Sequence, residues 1–202
     1  MEGTHTIIEQ SIMRKKAGDL LFPADFRGTG TENAIRKALS RLNHSGKIKR
    51  LAHGIYYLPK TDPLLGELRP GADEVVQQLA KKEKIKIRPT GATALHRLGL
   101  TTQVPTRMVF MTDGNPRSFR LGKLSVKFKA TTTKKLSTKG PISSLLIPAL
   151  EELGIEHIDS VMEEKIQTLL AKEDPKVLKH DLALAPAKIN DYIVRLLKKR
   201  KQ

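Results

Sequence analysis

The sequence predicts an α+β chain, and three observations carry the prediction. The first 45 residues hold two helical patterns separated by a glycine-bearing turn. Residues 47–59, KIKRLAHGIYYLP, set two short apolar runs on either side of a basic bend, as a small β-hairpin does. From residue 142 onward apolar residues recur at helical spacing, so a helical tail follows a small sheet.

Residues 4–17 (THTIIEQSIMRKKA) read as a helix: Thr4 or Thr6 can cap it, Ile8 and Ile12 share a face, and Gly18 stops it. In LLFPADF (20–26), Pro23 suits a first helical position and starts a short second helix through Phe26. RGTG (27–30) supplies a tight interhelical turn. A third helix follows, with Thr29 and Glu32 at capping-box spacing. Its Ile35, Ala38, Leu39 and Leu42 form one apolar stripe, and Gly46 ends it.

The opposite face of this third helix is where chemistry is expected. With side chains about 100° apart around a helix, Asn33, Lys37, Ser40 and His44 point away from the stripe, and Arg36 and Arg41 sit on its shoulders. Thr31 joins them at the helix start as a candidate contact. Asn makes bidentate contacts to adenine, Lys and Arg do so to guanine, and flanking Arg holds phosphates. An ordinary solvated face mixes in acids, whereas here only Glu32 appears, in the first turn.

A helix with such a face, followed at once by a basic hairpin, is the pattern of a winged helix-turn-helix. Lys47, Lys49, Arg50 and His53 are then expected to meet phosphates, and Gly54 permits the bend. The alternative is an edge charged only to block strand pairing. This predicts a DNA-binding domain over 1–60. The proline-rich stretch PKTDPLLGELRPGAD (59–73) predicts a linker over 61–70 and a mixed α/β domain over 71–202.

Within that second part, 73–84 reads as an amphipathic helix, IKIRP (85–89) as a strand, TGATALHRLGL (90–100) as a helix and RMVFM (107–111) as a strand. His96 has no second ligand at metal spacing, so a packed or surface histidine is expected. RSFRLGKLSVKFK (117–129) predicts a hairpin through Gly122-Lys123, with Phe119, Leu121, Leu124, Val126 and Phe128 on one face. Arg120 and Lys127 lie on the other face, Lys123 at the tip, and Lys129 beyond. They form a second basic surface, either a phosphate-tracking contact or a solvated sheet face. Four helical segments close the chain, the last carrying Lys198–Lys201 at its C-terminal end, where cations suit the helix dipole.

Composition points to the same partner class. The 202 residues carry 37 Lys+Arg against 21 Asp+Glu, a net charge of +16 and a pI near 10.1. Such basicity predicts a polyanionic partner, most often nucleic acid. With three Tyr, five Phe and no Trp, there is little material to stack unpaired bases, so duplex DNA is favoured over single-stranded RNA. The absence of cysteine excludes disulfides and thiolate zinc sites and suits the cytoplasm. No membrane span or leader pattern is read, and no metal or cofactor is expected. GTGTEN (28–33) lacks the third glycine of a phosphate loop and follows a helix. Asp159, Glu163 and Lys165 echo a metal-dependent nuclease, but they fall in a helical, near-neutral tail. No catalytic constellation is read, so an enzyme is not expected.

RLAHGIYYLP (50–59), LLFPADF (20–26), AIRKALSRL (34–42), LLGELRP (64–70) and above all PTGATALHRLGLTTQVPTRMVFMTDG (89–114) resemble the AbiEi-type antitoxin family over roughly residues 4–150. The resemblance implies a type IV toxin–antitoxin function. The N-terminal winged domain would bind inverted repeats in double-stranded promoter DNA and repress its own operon. The C-terminal domain would counteract an AbiEii-like nucleotidyltransferase toxin. A stand-alone winged-helix regulator whose C-terminal domain senses a ligand or protein is the alternative.

Overall fold

Thr4–Met13 forms α1, with Gly3 at its N-cap position and Ile8 and Ile12 buried on one face. The helix stops before the expected 17 because Asp19 accepts the Lys16 N–H, closing a turn that Gly18 completes at φ 95. Thr4 does not cap; its hydroxyl donates to the Thr29 carbonyl. Strand β1 (Leu20–Leu21) follows, then a 3-10 helix over Pro23–Phe26, where the Asp25 carboxylate accepts the Phe22 N–H.

The helix expected over the thirties is α2, Glu32–His44. Its cap is Thr31 and not Thr29: Thr31 Oγ accepts the Ala34 N–H, while the Thr29 hydroxyl donates to the Phe26 carbonyl. Gly46, at φ 76, lets the chain reverse, so that the Lys47 and Ile48 N–H groups return to the Leu42 carbonyl. Strands β2 (Lys49–Ala52) and β3 (Ile55–Tyr57) form an antiparallel hairpin, and β1 pairs with the other edge of β3, giving the order β1-β3-β2. Ile8, Ile12, Leu21, Phe26, Ile35, Leu39, Leu42 and Ile48 make one core beneath this sheet and the two helices.

The stretch expected as a linker over 61–70 carries regular structure. Lys60–Asp62 (β4) and Gly66–Leu68 (β5) pair antiparallel, and Asp62 accepts the Leu64 and Leu65 N–H groups at the tip. Helix α3 (Ala72–Glu83) follows, with Val75, Val76, Leu79 and Ala80 buried.

A third, mixed sheet has the order β6-β7-β9-β8, from Ile87–Pro89 (β6), Arg107–Thr112 (β7), Arg117–Leu121 (β8) and Leu124–Ala130 (β9). β6 runs antiparallel to β7, and β7 runs parallel to β9 with Phe110 opposite Phe128. Gly122, at φ 60, makes the expected turn between β8 and β9. Helix α4 (Gly91–Arg97) follows β6, and α5 (Thr133–Leu136) follows β9. The tail comprises α6 (Ser143–Leu153), a 3-10 helix (Ile155–His157), α7 (Ser160–Leu170), α8 (Pro175–Leu184) and α9 (Ala187–Lys199). Ala94, Leu146, Leu150, Ile166, Leu178, Ile189, Ile193 and Leu196 build their shared core.

One buried carboxylate ties that tail together. Asp181 is fully buried and accepts the Lys139 and Gly140 N–H groups and the Ser143 hydroxyl, with His180 Nδ1 2.8 Å away. Burial works against its charge, and these donors outweigh it, so its pKa is held below the ordinary value.

This is a computed structural model that describes residues 3–199, a mixed α+β chain. It divides into two compact units, the first running to Lys82 with Phe119–Gly122, the second holding Glu83–Ser118 and the chain from Lys123. No described helix is long and apolar enough to cross a membrane.

Candidate nucleic-acid interface

The two faces of α2 are sharply different. Ile35, Ala38, Leu39 and Leu42 are at most 3 % exposed, so the helix cannot rotate without uncovering the core. Thr31, Asn33, Arg36, Lys37 and Arg41 are exposed together on the other side, with Ser40 half-buried. Arg36 reaches Glu32 at 3.5 Å, an exposed pair worth little. Among the described residues, neither Lys37 nor Arg41 makes an ion pair or a side-chain hydrogen bond. His44 turns back on its own helix, its Nδ1 2.7 Å from the Ser40 carbonyl.

The hairpin is less open than its sequence suggests. Lys47 is held by the Glu9 carboxylate of α1, and Lys49 by the Glu67 carboxylate of β5. Arg50 folds along the hairpin, its Nε donating to the Ala52 carbonyl and an outer nitrogen 3.0 Å from His53 Nδ1. Its guanidinium lies 6.0 Å from the centre of the Tyr56 ring. Gly54, at φ 69, forms the tip, and a bulge separates Arg50 from Ala52.

Both acids are shaped by these contacts. The hydrogen bond from Lys47 holds Glu9 below the usual carboxylate range, and His5 Nε2 lies 3.5 Å from the same carboxylate. Lys49, and then the Tyr57 hydroxyl, do the same for Glu67. Glu9 and Glu67 were not among the residues singled out from sequence. They lie 38 and 18 positions from their lysines, and no local spacing signals either pair.

Elsewhere, Arg120, Lys123 and Lys129 are exposed, and Lys127 is half-buried opposite Val109. His96 is exposed on α4. Asp159 caps α7 through the Met162 N–H at 2.7 Å, Glu163 pairs with Lys199 at 3.0 Å, and Lys165 is exposed. Of the basic run at the chain end, Lys198 and Lys199 belong to α9, while Arg200 and Lys201 lie outside the described residues.

A family model matches residues 7–178: DUF6088, a family of unknown function. No curated protein matches the chain.

Proposed function

The chain belongs to the DUF6088 family, and we propose that this member is a DNA-binding transcriptional repressor built on a winged helix-turn-helix. The observation that carries the proposal is the solvent face of α2, where Asn33, Arg36, Lys37 and Arg41 stand together opposite a buried aliphatic stripe. The succession α1, β1, 3-10 turn, α2, β2 and β3, closed as β1-β3-β2, supports it. In a winged helix-turn-helix a recognition helix stands beside a basic hairpin, and on this reading α2 is that helix and β2–β3 the wing. α2 enters the major groove; Asn33 and Lys37 read base edges, while Arg36, Arg41 and the Thr31 end of the helix meet the backbone. Two copies on an inverted repeat would match operator symmetry to protein symmetry.

Gel shifts on the chain's own promoter region across a salt series test this. Binding should weaken with a log–log slope of about −0.9 per neutralised phosphate. Lys37→Ala should cost about 1–3 kcal/mol and relax sequence preference, whereas Arg36→Ala should weaken binding about equally on every sequence. Absent or salt-independent binding overturns the proposal.

The antitoxin half of the function rests on the resemblance of residues 4–150 to AbiEi-type proteins. A nucleotidyltransferase gene beside this one, whose toxicity the chain relieves on co-expression, is its test. The second reading, a regulator that senses a ligand or protein, is favoured by one feature of the second unit. An apolar groove of about 690 Å³ runs between α8 and α9, lined by Leu178, Leu182, Val194 and Leu197, with Lys179 among its lining residues. Its size is that of a small-molecule site.

A further inference from the structure

The wing lysines are the residues that the sequence marks most plainly for phosphate, and both are already occupied. Lys47 sits on Glu9 and Lys49 on Glu67, so each ammonium is neutralised before any partner arrives. Both acids come from outside the wing, one from α1 and one from β5, and each is partly shielded, with side chains 22 % and 28 % exposed. Glu67 is held further by the Tyr57 hydroxyl and Glu9 by its proximity to His5, which keeps both carboxylates placed over the hairpin. By contrast, Lys37 and Arg41 on α2 have no acid partner among the described residues.

We propose that Glu9 and Glu67 are positioning residues that withhold Lys47 and Lys49 from the duplex, so that wild-type affinity comes from α2. This rests on the DNA-binding proposal above. A lysine paired with a carboxylate displaces no phosphate counterion unless the pair breaks, and breaking it leaves a carboxylate facing a polyanion. The acids therefore weaken non-specific backbone attraction and leave base readout by α2 a larger share of the binding free energy.

The test measures binding of the full chain to a labelled mixed-sequence duplex and to the promoter duplex across a salt series. Glu9→Gln and Glu67→Gln keep shape and an acceptor while removing the charge. Each should tighten binding to both duplexes and steepen the salt slope by about 0.9, the signature of one added phosphate contact. Adding Lys47→Gln or Lys49→Gln to the matching acid variant should abolish that gain. A gain that survives without the lysine reflects only lost negative charge and overturns the proposal. So does acid-variant binding equal to wild type. If no variant binds either duplex, the DNA-binding proposal falls with it; if only Arg36→Ala and Lys37→Ala change binding, this inference alone falls. Thermal melts followed by circular dichroism establish that each variant is folded.

Discussion

The Tyr57 phenol is 2 % exposed and donates to the Glu67 carboxylate, which also takes the Lys49 ammonium. Burial first, then the hydrogen bond and charge of Glu67, push its pKa up from 10.0 to about 12. The neutral phenol is thus favoured in the folded chain. Stability from this group is intact below pH 10.0 and is lost as pH rises towards about 12, because the unfolded chain releases its proton first. In denaturant titrations, wild type should lose stability relative to Tyr57→Phe across that window and not below it. Parallel stability curves for the two proteins would show that Tyr57 does not couple to folding in this way. Glu67 thus links two neighbours: the same carboxylate that holds Lys49 also anchors the end of β3.

At the scale of one element, α2 shows which parts of a helix a sequence discloses. Its aliphatic stripe was legible because a helix period is fixed by geometry, and each of Ile35, Ala38, Leu39 and Leu42 is buried. Its start was not: Thr29 and Thr31 both precede an acid, and the choice fell to Thr31 because the Phe26 carbonyl claims the Thr29 hydroxyl. Thr31→Ala should therefore cost about 1 kcal/mol in chemical denaturation, and Thr29→Ala should not remove the cap. Leu39→Ala, at a fully buried position, should cost about 2–5 kcal/mol. The same contrast runs through the chain. The hairpin turn at Gly122 could be read locally, whereas the parallel pairing of β7 with β9 and the carboxylates on Lys47 and Lys49 join residues far apart in sequence. The β4–β5 hairpin escaped notice because its strands are three residues each and carry little apolar pattern.

Across the whole molecule, charge and burial divide along the chain. Residues 1–60 carry 11 basic and 5 acidic groups and 61–150 carry 16 and 6, while 151–202 carry 10 of each. The exposed cations of α2 contribute nothing to the core beneath it, which is aliphatic and aromatic, and the helical tail is organised around a separate core and the buried Asp181. Replacing Arg36, Lys37 and Arg41 together by Ala should leave folding intact, since surface changes away from such features usually stay within about 0.5 kcal/mol. On the proposed function this triple variant should lose promoter binding and repression. It should still restore growth when co-expressed with a nucleotidyltransferase encoded beside it, because the antitoxin role is assigned to the C-terminal part. A reporter fused to the promoter and a growth assay in the same strain measure both. Repression lost with rescue kept would separate the two activities by location. If a folded triple variant lost rescue as well, the α2 face would serve the toxin and not only DNA, and the division of labour along the chain would have to be abandoned.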